Sequence, residues 1–511
     1  MADDINLPRH ADTIIVGAGT GGAACANLLA GLSDDPVLLI EAGPDYGPYD
    51  PAVWPRDMLD AKSIPLSHDW GLTSAPPQRL DLPRARIVGG CSSHNGCTIS
   101  RGARADYDGW SAAGNPGWEA KTVEPLLDWA HERFRVRRYR TDELTVAQAA
   151  FVNAGVAAGL PFADDLDDLE AGPGIGPMPV NMVGGVRWNA AFAFLDPVRH
   201  RSNLTVAGRT RVSRILLSAG AVTGVEVSDP GGRSVQIRAR RVIIAAGAYH
   251  SPAILQRSGI GAGDDLRSLG IGVVADLPGV GRHLLDHACV ELDFFGREGL
   301  ARELAEMAWS PDEQTVGRAR SSQCDDGPYD IHVFMVAGAN SGHPGLPPVS
   351  LYGGAMRAVS SGQVRIASPD PDARPVIDHR YGTDEDSHDR TVLAEALELL
   401  YEMTRDSGLS DVLGERHRPD LDPLENIVSY CHPVGTCMMG PAADPAAVVD
   451  ATGAVHGVSG LFVCDASIMP AITRGNINLP TAMIGARVAA GLLGLDPSRA
   501  AARSSATACA D

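Results

Sequence analysis

The 511-residue sequence predicts an α/β (α+β) fold in which a nucleotide-binding βαβ unit opens the chain. An apolar strand at 13–16, a glycine turn, an Ala/Leu-rich helix at 23–32 and a second apolar strand at 37–41 follow one another. An apolar strand at 242–246, another glycine turn and a helix that opens near Ser251-Pro252 repeat this pattern. From about 297 to 426 the composition changes, which predicts a second domain.

The remaining elements follow from periodicity and turn residues. Residues 44–101 are rich in Pro, Gly, Asp and Ser, and so long a connection in a compact domain is usually functional. Helices are predicted near 122–135 and 146–160, and alternation with glycine turns predicts an antiparallel meander at 203–229. In the second domain, 329–338 and 362–369 have strand patterns and 391–406 a helical one. The low-complexity end, 496–511, predicts a flexible tail.

The charge and the cysteines limit the classes of partner. The net charge of -20 comes without a run of Lys or Arg, which argues against a nucleic acid or an anionic membrane surface. It weakly favours a neutral or cationic substrate, although solubility alone also explains it. No segment approaches the roughly 18 apolar residues of a membrane span, and the start lacks a secretory signal. Nine scattered cysteines are typical of reduced thiols, so we expect a cytoplasmic protein.

The glycine turn has the spacing Gly17-x-Gly19-x-x-Gly22, and Glu41 closes the next strand. The glycines would make a tight turn, admit a pyrophosphate at the helix start and allow close packing of helix and strand. Glu41 would accept from a ribose hydroxyl, which favours NAD or FAD over NADP. The fingerprint alone does not choose between them, and a plain tight turn is the alternative. Its N-terminal position in a long chain that returns to the same pattern fits FAD.

A series of blocks resembles the glucose-methanol-choline (GMC) oxidoreductases, in that family's order. They are GAGTGG with LLIEAG, RARIVGGCSSHNG, GAYHSPAILQRSGIG, LPGVGRHLLDH, SGQVRIASPDPDARPVIDHRY, CHPVGTCMMG and LFVCDASIMPAITRGNINLPTAMIGARVA. The resemblance implies oxidation of an alcohol, a Rossmann-like FAD-binding domain and a substrate domain built on an antiparallel sheet. The FAD-binding domain would comprise 1–160, 195–296 and 428–495, and the substrate domain 161–194 and 297–427.

The string CSSHN departs from the usual family pattern at Cys91 and His94, where most members have Ser or Thr and an aliphatic residue. This variant resembles the choline oxidase branch, in which the histidine is bonded to the 8α-methyl group of the flavin. The resemblance implies the same covalent link for His94. The alternative is a histidine that forms hydrogen bonds inside a buried loop. A metal site with Cys91 and Cys97 lacks a plausible fourth ligand, so no metal is expected.

The family's catalytic pair is His-His or His-Asn, and its matched positions here are His432 and Asn478, with Asn476 the less favoured partner. A neutral imidazole can remove the hydroxyl proton of an alcohol, and an amide can hold the alkoxide oxygen. The flavin would accept the hydride. Read alone, His432 would be an ordinary core histidine.

The resemblance also implies a set of cofactor contacts. The dipole of a helix that starts at Thr481 would stabilise negative charge on the reduced flavin. The implied contacts are Glu41 at the ribose, Gly89, Gly90, Asn95 and Gly96 at the isoalloxazine, the backbone of Val212 near adenine, and Asp465 with Ala466 along the ribityl chain and pyrophosphate.

Two positions argue against choline itself as the substrate. Choline oxidases carry serine where this chain has Gly96, and a small aliphatic residue where it has Tyr430. Because residues two apart on an extended strand share a face, Tyr430 and His432 should both face the pocket. Choline also needs an aromatic cage, and aromatic residues are only 5% of the chain. The unassigned candidates for such a cage are Trp54, Trp70 and Tyr352.

We therefore expect a primary alcohol on another polar or bulky scaffold, an amino-sugar for example. Either O2 or another acceptor could take the electrons, which makes a flavin-dependent dehydrogenase the main alternative to an oxidase. A lyase of the same fold without net redox is a further alternative. A binding protein with an inactive flavin is disfavoured by the intact His432 and Asn478. The sequence leaves the oligomeric state open, a homodimer included.

Overall fold

Two large β-sheets organise the part of the chain that the computed structural model describes, residues 7–62, 64–228, 232–306, 312–338 and 349–508. The first sheet has seven strands. Their spatial order is Leu204–Ala207, Val37–Ile40, His10–Val16, Ser234–Ile244, Ala221–Ser228 and Arg211–Ser218, with Leu461–Val463 also paired to Ser234–Ile244. The second sheet has six strands, in the order Val428–Ser429, Ala288–Phe294, Val349–Ala355, Ile331–Ala337, Thr315–Ala319 and Gly174–Pro177.

The first sheet is parallel at its centre, as expected of a doubly wound nucleotide-binding unit. Ile15 pairs with Leu39 on one side and with Ile243 on the other, and the side chains of all three are buried. The central strands of such a sheet are buried on both faces, which explains why they are continuously apolar. The predicted α/β (α+β) fold class is confirmed.

The predicted antiparallel meander is only partly right. Arg211–Ser218, Ala221–Ser228 and Ser234–Ile244 are antiparallel neighbours. Leu204–Ala207, at the start of the predicted meander, instead runs parallel to Val37–Ile40. A short apolar strand can pair in either direction, so the sequence did not show that this strand is parallel to its neighbour.

The six-stranded sheet is antiparallel, and its two faces differ in chemistry. One face is apolar and packs against the helix His388–Met403, with Val333 and Leu351 in that core. Because side chains alternate along a strand, the intervening residues point the other way. That second face carries polar and aromatic side chains, among them His332, Phe334 and Tyr352, and it borders the cavity described below.

The predicted domain limits at 160, 296 and 428 do not follow the two sheets. Ala288–Phe294 and Val428–Ser429 are strands of the six-stranded sheet, although both were expected on the FAD-binding side. The helix Val146–Ala157 likewise packs against the six-stranded sheet through Ala147 and Phe151. The limits at 296 and 428 followed a change of composition, which does not reveal that the strands on either side of that change pair within the second sheet.

The predicted flexible tail is wrong for 497–508. This segment is the helix Pro497–Ala508, and Ala500 and Ser504 are buried in it. Trp129 Nε1 donates to Ser504 Oγ at 3.2 Å, and Ser504 Oγ donates to Asn27 Oδ1 at 3.0 Å. The small side chains that looked like low complexity allow close packing instead. Residues 509–511 lie outside the described residues.

The helices and smaller hairpins complete the fold. The remaining α-helices are Thr20–Leu32, Arg56–Leu59, Arg104–Ala112, Ala120–Arg133, Gly247–Arg257, Gly263–Ser268, Leu300–Glu306, Ser407–Leu413 and Asn478–Leu492. Short strand pairs join Leu72–Thr73 with Asp81–Leu82, Arg137–Arg138 with Pro179–Val180, Met182–Val183 with Val186–Arg187, Ile260–Gly261 with Ala275–Asp276, and Gln363–Arg365 with Val376–Asp378. Within the described ranges, every helix is too short or too polar to cross a bilayer.

Candidate active site

A cavity of about 600 Å³ lies between the carboxyl ends of the parallel strands and the polar face of the six-stranded sheet. This is the edge at which open α/β sheets bind their ligands. The glycine turn, Glu41, the loop that contains His94, and the segment around His432 all contribute to its wall. The site residues predicted from distant parts of the chain are therefore brought to one place.

The glycine turn has the geometry that its spacing requires. Gly17 has a φ of 103°, and a Cβ atom at Gly22 would lie 2.0 Å from the carbonyl oxygen of Gly17. Gly17 and Gly19 line the cavity, whereas Gly22 lies behind them and allows the helix to pack on the strand. This leaves the backbone at the start of Thr20–Leu32 open to a ligand.

Glu41 is buried at the end of the second parallel strand. Its Oε2 accepts from the backbone N–H of Ala18 at 3.0 Å, and its Oε1 accepts from that of Gly43 at 2.8 Å. Burial raises the pKa of Glu41 to about 7, although these backbone bonds oppose the shift. Each carboxyl oxygen retains a lone pair for a ribose hydroxyl.

The loop predicted to contact the flavin packs directly on the glycine turn. Gly89 and Gly90 have φ angles of 104° and 55°, and a Cβ atom at Gly90 would lie 2.6 Å from Gly19 Cα. Gly90–Ser93 forms a single 3-10 turn, and Ser92 Oγ donates to the carbonyl of Gly89 at 2.6 Å. Gly90 lines the cavity, and Gly89 supplies the turn behind it. This turn places the following residues, His94, Asn95 and Gly96, in the cavity wall.

His94 is 5% exposed, and its Nδ1 has no hydrogen-bond partner among the described residues. Burial, reinforced by the positive charge of Arg84, lowers the pKa of His94 to about 3. The imidazole is therefore neutral at physiological pH, which is the nucleophilic form. The alternative of a histidine satisfied within its own loop does not describe this side chain.

His432 is held by a segment that runs antiparallel to 285–287. The backbone N–H of His432 donates to Asp286 Oδ1 at 2.7 Å, and the N–H of Tyr430 donates to the carbonyl of His287 at 2.9 Å. Asp286 Oδ2 accepts from Tyr381 Oη at 2.7 Å and from Ser429 Oγ at 2.6 Å. The buried carboxylate thus ties three chain segments together beneath His432 and fixes its backbone.

The His432 ring lies between a second histidine and an amide. Its Nδ1 is 2.9 Å from His287 Nδ1, and its Nε2 is 3.3 Å from Asn476 Nδ2. Burial lowers the pKa of His432 well below the ordinary value of 6.5, and the nearby His287 and Arg84 add to the effect. Burial also lowers the pKa of His287 to about 4. Both rings are therefore neutral near pH 7.

His432 can act as a base toward the cavity in only one arrangement of the protons on the rings of His287 and His432. Two nitrogens 2.9 Å apart share one proton, so either His432 or His287 donates through Nδ1. If His432 donates, its Nε2 carries a single lone pair, which accepts from Asn476 in this structure and would accept from an alcohol that takes the place of this contact. The donation from the Asn476 amide favours this arrangement.

Sequence reasoning missed Asp286 and His287. Both lie in the block LPGVGRHLLDH, which was recognised for the family without roles for its residues. Their signal was an acid and a histidine side by side before a buried strand. Their contacts with His432 depend on the antiparallel pairing of Leu285 with Val434. The local sequence does not reveal this pairing.

The structure places Asn478, the predicted partner of His432, in a hydrogen bond with Thr20. Among the described residues Asn478 forms no hydrogen bond with His432, and its Oδ1 accepts instead from Thr20 Oγ1 at 2.7 Å. Its Nδ2 is buried without a partner among the described residues. The helix Asn478–Leu492 begins at this residue, which turns its amide toward the start of Thr20–Leu32. Asn476, in the preceding loop, occupies the position beside His432 instead.

The other predicted cofactor residues also line the cavity: Val212, Asp465, Ala466 and Thr481. Asp465 is held by the protein itself, since its Oδ2 accepts from the N–H of Gly247 at 2.8 Å and from Ser251 Oγ at 2.6 Å, and its Oδ1 accepts from the N–H of Ser467 at 2.8 Å. The helix predicted to start at Thr481 begins earlier, at Asn478, and Thr481 Oγ1 donates to the carbonyl of Ile477 at 2.7 Å.

An aromatic wall, formed by Phe334, Tyr352 and Tyr430, bounds the substrate side. The ring of Tyr430 stacks on Phe334 at 4.5 Å, and Phe334 stacks on Tyr352 at 4.8 Å, with 12° between the planes in both pairs. Tyr430 and His432 both line the cavity, but not because they share an extended strand. Cys431 between them has a left-handed φ of 66°, so the strand argument was wrong in its premise.

The remaining aromatic candidates do not complete a cage. Trp70 lines another part of the cavity and packs against His250 with ring centroids 4.4 Å apart. Trp54 packs against Phe192 at 4.7 Å, within the hydrophobic core. Of the three candidates, only Tyr352 belongs to the aromatic wall.

The residues present fit FAD. The acid of Glu41 stands at the nucleotide end, glycines expose the backbone where a pyrophosphate would lie, and the His94 loop packs against that turn. The buried Nδ1 of His94 and Nδ2 of Asn478 are polar atoms without partners in the described part of the chain. Such atoms are expected where a ligand supplies the missing contacts.

Comparison with known proteins identifies the family. Residues 11–289 and 358–485 match the N-terminal and C-terminal family models described as GMC oxidoreductase. Oxygen-dependent choline dehydrogenases from Rhizobium johnstonii and Brucella anthropi are 32% and 34% identical, each over 96% of this chain and 96% of the relative.

Solved structures give the same result. Pyridoxine 4-oxidase from Mesorbium loti is 27% identical, with a TM-score of 0.83, over 95% of this chain and 99% of its own. A formate oxidase variant from Aspergillus oryzae RIB40 is 22% identical, with a TM-score of 0.82, over 94% and 98% of the two chains, and supports the fold alone. The chain therefore belongs to the glucose-methanol-choline (GMC) oxidoreductase family and is an FAD-dependent enzyme that acts on CH–OH donors.

Proposed function

We propose that the protein oxidises a primary alcohol to its aldehyde, with His432 as the base and O2 as the final electron acceptor. The observation that carries this proposal is the His432 ring itself. It is neutral, it lies in the cavity wall, and its Nε2 is oriented by His287 and Asn476 toward the space beside the His94 loop.

The protein's own groups would manage the proton. His432 Nε2 would accept the hydroxyl proton of the alcohol, and the resulting imidazolium would keep its Nδ1–H bond to His287. Asn476 Nδ2 would donate to the alkoxide oxygen, which holds the substrate carbon in a fixed direction. A bound flavin would supply the acceptor for the hydride from that carbon. Asp286 acts indirectly, because it fixes the backbone of His432.

We further propose that His94 is the covalent attachment point of the flavin. The support is a neutral, buried imidazole with an unpartnered nitrogen in the loop that packs on the glycine turn. Acid precipitation of the wild-type holoenzyme should leave yellow flavin in the pellet, with a mass shift on the His94 peptide. H94A should release all of its flavin to the supernatant. Free flavin from the wild type would overturn the link but not the alcohol oxidation.

The activity itself is tested by adding alcohols to the holoenzyme without oxygen. Bleaching of the oxidised flavin band supports alcohol oxidation, whereas a flavin that stays oxidised during turnover supports the lyase. Admission of air then distinguishes the acceptors. An oxidase regenerates oxidised flavin rapidly and forms hydrogen peroxide, whereas a dehydrogenase requires an artificial acceptor.

The names of the relatives support a particular class of alcohol substrate. The curated relatives carry the name choline dehydrogenase, and the solved structure with the higher TM-score is a pyridoxine 4-oxidase. Choline and pyridoxine are both primary alcohols with a positively charged or basic nitrogen. We therefore propose a nitrogen-containing primary alcohol. Gly96, Tyr430 and the one-sided aromatic wall argue against choline.

A further inference from the structure

Glu313 is an acid in the cavity wall to which the proposed reaction gives no role. It precedes the strand Thr315–Ala319 and lines the same cavity as His94, Tyr430 and His432. Its Oε1 is buried and has no hydrogen-bond partner among the described residues. A buried acceptor without a partner costs about 1–3 kcal/mol, so a protein that keeps one needs a reason.

The surroundings of Glu313 offer no compensating charge. The titratable groups whose pKa values respond to it are Cys97, Tyr139, Cys289 and Tyr430, and burial raises the pKa of each, so all four are neutral. Burial alone raises the pKa of Glu313 to about 8. The free site therefore holds a protonated carboxyl group at neutral pH, which can share its proton with a basic nitrogen.

Gly96 lies close to the carboxyl group of Glu313 in the cavity wall. A Cβ atom at position 96 would lie 3.1 Å from Glu313 Oε2, which is closer than ordinary van der Waals contact. A Cβ atom there would require the Glu313 carboxyl group to shift by a few tenths of an ångström. The glycine that distinguishes this chain from choline oxidases is thus paired with the acid, and the two together shape one subsite.

We propose that Glu313 binds a basic nitrogen of the alcohol substrate by sharing a proton with it, as in a protonated amine or a nitrogen heterocycle. This inference rests on the proposed alcohol oxidation and deepens it. The buried Oε1 requires an N–H or a nitrogen lone pair opposite the carboxyl group. A quaternary ammonium has neither, so it would leave the acceptor unsatisfied. The aromatic wall of Phe334, Tyr352 and Tyr430 would pack against the scaffold that carries the nitrogen.

The test compares three probes of nearly equal shape with the holoenzyme: benzyl alcohol, 4-(hydroxymethyl)pyridine and N-methyl-4-(hydroxymethyl)pyridinium. In the wild type, KM for the pyridine alcohol should be about tenfold or more below that for each of the other two, as one strong hydrogen bond implies. Because Glu313 supplies the shared proton, this preference should fade as pH rises through about 8. E313L should bring the three KM values to within about twofold.

D312N is the matched control, because Asp312 is the adjacent acid, its pKa is also raised by burial, to about 7, and it lies away from the cavity lining. It should leave the preference intact. E313Q, which keeps the shape and a hydrogen-bonding amide, should retain part of the preference but lose its pH dependence. FAD content and melting temperature report whether each variant is folded.

Two results would overturn the assignment: equal KM values in the wild type, or a preference that survives in E313L. Binding of 4-methylpyridine and toluene, followed through the flavin absorbance, separates this question from catalysis. If no alcohol reduces the flavin but 4-methylpyridine still binds preferentially in a Glu313-dependent way, the proposed oxidation fails and the subsite stands. If alcohols are oxidised without that preference, the reverse holds.

Discussion

The roles of the two asparagines can be separated by single substitutions. Asn476 Nδ2 lies 3.3 Å from His432 Nε2, where it can donate to a developing alkoxide, whereas Asn478 is bonded to Thr20. Removal of one such donor lowers catalytic rate constants by about 10²–10³. N476A should therefore reduce the rate of anaerobic flavin reduction by that factor, with little change in melting temperature.

N478A should show the opposite pattern. It removes the hydrogen bond from Thr20 Oγ1, which is 2.7 Å long, and so costs about 1 kcal/mol of stability. Its flavin reduction rate should stay within about fivefold of the wild type, since no reacting group is lost. Rapid mixing of each holoenzyme with a saturating alcohol measures the rates, and thermal unfolding measures stability. A larger rate loss in N478A than in N476A would refute the placement and restore the pair that the sequence favoured.

Three further outcomes follow from the buried groups. Because the pKa of His432 is lowered well below 6.5, flavin reduction should stay constant as pH falls through 6.5, and an acid limb centred at 6.5 would contradict this. Over the same range stability should decrease, since unfolded histidines take up protons that the folded ones do not. D286A should lower the melting temperature, because it leaves Tyr381 and Ser429 hydroxyls unpaired at about 1–3 kcal/mol each. S504A should lose three hydrogen bonds of the C-terminal helix, those with Trp129, Arg133 and Asn27, at about 1 kcal/mol each, and an unchanged melting temperature would show that this helix is not docked.

The features carried by local spacing could be predicted from the sequence. The glycine turn, Glu41 and the His94 loop each depend on residues within a few positions of one another, and backbone sterics leave few conformations for them. His432 was found because its block is distinctive. All of these residues contribute to one cavity at the edge of the parallel sheet.

The features that failed depend on tertiary contacts. Asn476 rather than Asn478 lies beside His432 because the helix Asn478–Leu492 begins at residue 478. The contact of His287 with His432 depends on pairing between segments that are about 145 positions apart. The C-terminal helix was predicted to be a flexible tail because its small residues are stabilised by packing against other helices, and the local sequence does not show which helices these are. Glu313 carried no local signal, since its significance comes from Gly96, which lies on a different segment.

The central claim, that His432 is the base of an FAD-dependent alcohol oxidation, is tested most directly by the rate of flavin reduction without oxygen. Wild-type holoenzyme and H432Q, with equal FAD content, are mixed rapidly with the same primary alcohol. Loss of a general base should slow the reduction by about 10²–10⁴. Equal rates in the two proteins, or a wild-type flavin that stays oxidised with every alcohol, would contradict the account.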